Sequence, residues 1–254
     1  MKQKQIQDLT LTSVFAAIIV VMIVIPFVGT IPIGLLSATL LHIPVLIGVF
    51  VLPKKYSLSL GVFFGVATLL KALIRPETIL DPVFVYPWIS VLPRFLFVLA
   101  TIYLLEFFKT LDGKVKHSDT IIFGVVTTIT VFGFYYVSDV LINVAGWNPS
   151  IIIPIALVLI ALFVTTYFAF VNMRQTKNIL IPSVMILGTL IHTTLVLGGL
   201  VLFEPALIKE VLQTEALMTA IYTIAATNGL LEAILAALIG TPIILTLNQL
   251  RNKQ

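Results

Sequence analysis

The sequence predicts an all-α membrane protein that crosses the bilayer eight times. Three observations predict it. First, 59% of the 254 residues are hydrophobic and only 10% are charged, where a soluble domain carries about 25% charged residues. Second, the apolar residues fall in runs of about 18 or more, long enough to cross a ~30 Å hydrocarbon core. Third, Lys and Arg collect in alternate gaps between those runs. A mean hydropathy of +1.15 excludes a soluble enzyme, a disordered chain and a nucleic-acid module. The length allows one integral domain and no sizeable soluble one.

The spans follow in order. The run 9–28 ends at the turn signals Gly29, Pro32 and Gly34. It is too long and too uncharged at its end for a cleaved signal, and no small-residue cleavage site follows it, so it reads as a retained helix. The run 36–52 stops at Pro53-Lys54-Lys55, and 56–74 stops before Arg75 and Pro76. The stretch containing Pro76, Pro82 and Pro87 precedes 89–108, which leads to Asp112-Gly113. The runs 119–141 and 151–173 flank Gly146 to Pro149, and 180–203 and 218–248 complete the set. No low-complexity segment and no inverted repeat of Gly/Pro-broken spans is evident.

With eight spans, the odd and even gaps face opposite sides. Lys2, Lys4, Lys54, Lys55, Lys109, Lys114, Lys116, Arg174, Lys177, Arg251 and Lys253 fall on one side, and Arg75 and Lys209 on the other. Lys71 and Arg94 lie within spans. This asymmetry puts both termini in the cytoplasm. The outer gaps carry Glu77, Asp81, Glu204, Glu210 and Glu215.

Much chemistry is missing. There are no cysteines, which removes disulfides, thiol catalysis and thiolate metal sites. There is no phosphate-cradling Gly-x-x-x-x-Gly-Lys-Ser/Thr loop, no His-Glu-x-x-His helix and no Gly-x-Ser-x-Gly elbow. His42, His117 and His192 are far apart in sequence, with His117 in a cytoplasmic gap and the others in spans. No metal site, cofactor or enzymatic activity is expected from them.

Ionisable groups inside a bilayer are costly and so mark sites. The candidates are Arg94, His42, His192 and Glu232, with Asn228 as a neutral amide. Arg94 lies roughly 8 Å inside the outer end of its span by helix rise. It either snorkels outward, pairing with Glu77 or Asp81, or faces a ligand. Lys71 and Asp139 sit nearer the outer ends, where snorkelling or solvation explains them. Asn228 and Glu232 are four apart and share one helix face, for bundle hydrogen bonds or for a ligand. Arg94, His42, Asn228 and His192 share the outer half to middle of the bilayer, so adjoining helices would make them a polar pocket. In the first span Ser13 and Ala17 form a small-xxx-small pair, which suits a close helix contact inside the bundle or with a partner.

Five strings occur in order: Thr39-Leu-Leu-His-Ile-Pro-Val-Leu-Ile-Gly48, Gly61-Val-Phe-Phe-Gly65, Val91-Leu-Pro-Arg94, Gly188-Thr-Leu-Ile-His-Thr-Thr-Leu-Val-Leu-Gly-Gly199 and Thr227-Asn-Gly-Leu-Leu-Glu-Ala233. Together they resemble the substrate-binding S components of energy-coupling factor (ECF) vitamin transporters, with the pantothenate-type branch nearest. The resemblance covers about 9–108 and 180–248 and implies a six-helix S-component-like bundle. The stretch 110–178 is then an inserted pair of transmembrane helices. The resemblance implies a pocket capped by loops 29–35, 75–88 and 204–217. It also implies a partner face on the first helix, where Ser13 and Ala17 stand in for an Ala-x-x-x-Ala pair. His192 replaces an Asn found in pantothenate-type relatives.

What the resemblance implies is capture of a small water-soluble vitamin or precursor, first of all pantothenate, at the outer face of a bacterial plasma membrane. A transmembrane coupling subunit and two cytosolic ATPases are the implied partners. In this reading Arg94 holds a carboxylate, Asn228, His192 and Thr39 bond hydroxyls or amides, and Tyr86 and Trp88 close the lid. The alternative is a self-sufficient secondary transporter with Glu232 and Asp139 carrying protons.

Overall fold

A computed structural model describes residues 2–25, 28–33, 36–76, 80–144, 146–172, 179–212 and 217–252. Among these, seven helices are long and apolar enough to cross a membrane: α1 (Lys2–Val24), α3 (Lys54–Ile74), α4 (Pro87–Lys114), α5 (Ser118–Asn143), α6 (Pro149–Asn172), α7 (Leu180–Phe203) and α10 (Leu230–Asn252). The protein is an all-α membrane protein, with one small β-hairpin among the described residues.

The eighth expected span, 36–52, is not a continuous helix. Strands β1 (Thr30–Ile33) and β2 (Leu36–Thr39) pair antiparallel, with Thr30 opposite Thr39 and Ile33 opposite Leu36. Only then does the short helix α2 (Ile43–Val51) begin. Pro44, which has no N–H to give to a preceding turn, sits at the start of α2 and favours initiation there. Nine residues rise about 13–14 Å, under half of the hydrocarbon thickness. Part of the expected span is therefore extended backbone. Such backbone is tolerated where its polar groups are paired within the protein, as the strand ladder and the Leu40 N–H to Gly29 carbonyl bond of 2.8 Å do here.

Helix α4 is the centre of the bundle. It lies against α3 on one side and α7 on the other, while α10 packs on α7 and α2, and α1 packs on α3. The close α3–α4 approach depends on two glycines. A Cβ on Gly61 would sit 2.6 Å from Val98 Cγ2, and one on Gly65 would sit 2.6 Å from Val91 Cα and 2.9 Å from the Ser90 carbonyl oxygen. Backbone atoms cannot swing aside, so Gly65→Ala must push α3 off α4. We expect it to cost about 1–3 kcal/mol, read as a lower melting midpoint in detergent, with an unchanged midpoint as the contrary result.

Lys54 at the start of α3 pairs with Glu106 near the end of α4 at 2.5 Å. At the other end of this antiparallel pair, Lys71 Nζ and Asp81 are 4.0 Å apart. The basic end predicted by the charge asymmetry is thus one physical end of these helices. If it faces the cytoplasm, a cysteine at position 114 will resist impermeant labelling from outside; rapid labelling in intact cells would invert the orientation.

Helix α5 packs on α6 and reaches α7. A buried hydrogen bond of 2.6 Å between Tyr167 Oη and Ser183 Oγ ties α6 to α7. After α8 (Pro205–Leu212) and α9 (Leu217–Ile224), a π-helical turn at Ala225–Gly229 joins α9 to α10. The main core holds Leu46, Leu60, Phe97, Val184 and Met185. A second apolar cluster of Leu80, Val83, Ile89, Leu200, Ile208 and Ile221 packs at the end of the bundle that holds Asp81.

Candidate functional site

Beside that second cluster lies a cavity of about 160 Å³. Its walls come from β2 (Thr39), α3 (Phe64, Thr68, Lys71), the 3₁₀ turn Asp81–Val85 (Asp81, Phe84), α4 (Arg94), α7 (His192, Thr193), the π turn (Asn228) and α10 (Glu232). A larger cavity of about 380 Å³ lies between α5, α6, α7 and α10, but nearly all its lining is apolar. Ligand sites combine apolar walls with a few convergent polar groups that fix orientation. Only the smaller cavity has both.

Arg94 is 6% exposed and its position has a local cause. Pro93 lies inside α4 and has no N–H, so the carbonyl four residues earlier, on Ile89, loses its helical donor. Arg94 Nη1 donates to that carbonyl at 2.8 Å. The guanidinium carbon lies 4.9 Å from the Phe84 ring centre and 5.8 Å from that of Phe64. Ser90 Oγ donates to the Phe84 carbonyl and so anchors the 3₁₀ turn carrying that ring. Arg94 Nε keeps no partner. The expected pairing with Asp81 is not what holds Arg94: Asp81 lies near Lys71, and Glu77 is outside the described residues. Arg94 does not snorkel, because its proline-freed carbonyl and two aromatic faces hold it inward.

This arrangement yields a test. In Pro93→Ala the new N–H competes for the Ile89 carbonyl and releases the guanidinium. We expect a ligand held by Arg94 to bind about tenfold more weakly, one lost fixed hydrogen bond of roughly 1.5 kcal/mol, with no loss of thermal stability. Calorimetry that finds the parent affinity would show that the carbonyl does not position Arg94.

Glu232 is 5% exposed, and its Oε1 accepts the Thr39 backbone N–H at 2.6 Å. The end of the hairpin is thereby fixed to the last span. The Thr39 side chain accepts from the Leu41 N–H at 3.3 Å. Asn228, 8% exposed, joins Glu232 in the lining even though the π turn alters the helical phase between them. Such turns often occur at functional positions. Gly229 makes room for the neighbouring wall, since a Cβ there would lie 3.0 Å from Thr193 Cγ2.

His192 is 3% exposed, and neither ring nitrogen has a hydrogen-bond partner. Its ring is 5.1 Å from that of His42, 5.0 Å from Phe97 and 5.8 Å from Phe64. His42 is fully buried behind the cavity wall rather than in it. Its Nε2 lies 3.0 Å from Thr189 Oγ1. His42, His192 and Glu232 offer donor atoms that all lie within 4.8 Å of one another. Sequence separation had argued against any metal set; the fold brings two of the three histidines together with a carboxylate.

Tyr86 and Trp88 do not line the cavity. They stack on each other, with ring centres 5.1 Å apart, and Trp88 is 42% exposed. The aromatic wall comes instead from Phe84, one 3₁₀ turn earlier, and from Phe64. Lys71, Thr68 and Thr193 were also missed; only Lys71 carried a signal, a charge inside a span. Ser13 and Ala17 are exposed on the outside of α1, while Phe15 and Ile19 of the same helix are buried. The small pair therefore makes no close contact within the described bundle. Asp139 is exposed on α5, accepts from Asn143 Nδ2 at 2.6 Å, and is not part of the cavity wall.

The sequence matches the family described as ECF transporter, substrate-specific component, over residues 7–173. The match takes in α1 to α6, including the two helices expected as an added pair, and α7 to α10 lie beyond it. No curated protein matches the sequence significantly. This match covers more than half of a chain with seven apolar spans among its described residues, and the chain belongs to the family of ECF transporter substrate-specific components.

Proposed function

We propose that the chain captures a small anionic vitamin or vitamin precursor, with pantothenate as the first choice, at the outer face of a bacterial plasma membrane. Uptake is then driven by partners: a transmembrane coupling subunit and two cytosolic ATPases. Arg94 is the observation that carries this reading. A buried guanidinium with an unpartnered Nε faces a cavity that also offers Asn228, His192 and Glu232, and an anion compensates what burial costs the charge. A carboxylate suits the planar fork, and the other groups suit hydroxyls or an amide.

In this reading the binding core is 9–108 with 180–248, because the cavity takes no lining residue from 110–178. Helices α5 and α6, which the family match includes, then stand alongside that core. The secondary-transporter reading loses ground, since Asp139 lies on the outside of α5. The experiment is mass spectrometry of small molecules retained by the purified protein, followed by uptake assays with and without the ATPase partners. Retention of an acidic vitamin, with accumulation only when the ATPases are present, is the expected result. Accumulation by this chain alone would refute the reading.

A further inference from the structure

We propose that His42, His192 and Glu232 form a binding site for a divalent transition-metal ion of the zinc class at the cavity floor. The site goes beyond vitamin capture and stands without it. Three features point there. The first is convergence: the donors come from the start of α2, the middle of α7 and the first turn of α10, yet lie within 4.8 Å of one another and are all buried. The second is orphaned polarity. Both nitrogens of His192 and Nδ1 of His42 lack hydrogen-bond partners, and a buried donor or acceptor left unmade costs about 1–3 kcal/mol. An ion at this point satisfies His42 Nδ1 and one of the two His192 nitrogens together.

The third feature is orientation from behind. The Thr189 hydroxyl donates to the Met185 carbonyl at 2.9 Å, so it accepts from His42 Nε2–H at 3.0 Å. This tautomer, assigned from the network, leaves His42 Nδ1 with a free lone pair. Metal-binding histidines are held by such an outer partner. Glu232 is held likewise by the Thr39 N–H on Oε1, and a carboxylate has a second oxygen to offer. Two imidazoles, one carboxylate and no sulfur suit zinc, cobalt or nickel.

A tetrahedral ion with bonds of about 2.0–2.1 Å sets its donors about 3.4 Å apart. With all donors already within 4.8 Å, the widest pair is drawn in by at most about 1.4 Å. The His42 and His192 rings are also nearly parallel, 14° between planes, so one must turn for both lone pairs to converge. His192 is the one free to turn, because its ring makes no hydrogen bond that rotation would break. Glu232 contributes one negative charge against the ion's two positive ones, and Arg94 adds another positive charge to the same cavity. The open coordination position therefore calls for an anion.

The test uses full-length protein purified through a histidine-free tag and stripped with chelator. It is titrated with ZnCl₂ by calorimetry and with CoCl₂ by visible absorption. The expected result is saturable binding with the intense ligand-field bands of four-coordinate cobalt. His192→Asn and Glu232→Gln are expected to weaken it by more than the roughly 10–100-fold expected of Thr189→Val, which removes only an outer partner. Folding of each variant is checked by monodispersity. The weak spectrum of hydrated cobalt on the parent protein, or equal affinity in the parent and in a monodisperse variant, would overturn the site. The parent spectrum decides without any variant. Because no vitamin is present, failure here leaves the Arg94 reading intact, and failure of pantothenate to bind leaves the metal site intact.

Discussion

In the proposed capture of pantothenate, replacing Arg94 by Ala is expected to weaken binding by about 2–5 kcal/mol, roughly 30-fold to several thousand-fold. Three parts of the structure set this size. The guanidinium is 6% exposed, so water screens its attraction for a carboxylate weakly. Its orientation is set before any ligand arrives, by the Ile89 carbonyl on Nη1 and by the rings of Phe84 and Phe64. Little entropy then remains to be lost on binding. Glu232 shares the cavity and would repel the ligand once Arg94 is gone, which places the expected loss toward the upper part of the range. Arg94→Lys should recover only part of the loss. An ammonium keeps the charge but has no planar fork, and it cannot hold the Ile89 carbonyl and a carboxylate in the same geometry. Calorimetry on the parent and both variants in detergent measures this. Equal affinities in folded protein would mean that the buried charge serves the bundle alone.

Ser13→Leu and Ala17→Leu are expected to leave ligand affinity unchanged and to abolish most uptake. Both positions are exposed on α1, one turn apart, and the opposite face of α1 buries Phe15 and Ile19 in the core. A branched side chain there meets only lipid in the isolated protein, so folding and the cavity are spared. Against another helix it blocks the close backbone approach that small residues allow. The contrast between intact binding and lost transport identifies a docking face, since a destabilised protein would lose both. Co-purification supplies the direct readout. If both variants still carry the coupling subunit and ATPases with them, the partner surface lies elsewhere.

Much of this protein was legible in order along its sequence. Runs of apolar residues cost nothing in lipid and much in water, so hydropathy located seven helices and approximate ends. The skewed Lys and Arg placed one basic end on the bundle, where Lys54 and Glu106 meet. Arg94, Asn228, His192 and Glu232, which line the cavity, were conspicuous because polar groups within apolar runs are costly; Thr39 was named only through the family resemblance.

Only the tertiary structure decided the rest. Hydropathy reports the free energy of transferring side chains and is blind to the path of the backbone, so 36–52 read as a helix although its first part is a strand. The Thr39 N–H that supports this path finds its acceptor on Glu232, 193 residues away. Likewise His42 bonds Thr189 across 147 residues, and no local pattern could announce that His42, His192 and Glu232 converge. The choice of Phe84 over Tyr86 and Trp88 as an aromatic wall depended on a 3₁₀ turn whose phase the prolines only partly specify. The sequence by itself determined which groups must be kept from lipid; three-dimensional packing decided which of them keep one another company, because that depends on contacts between segments far apart in the chain.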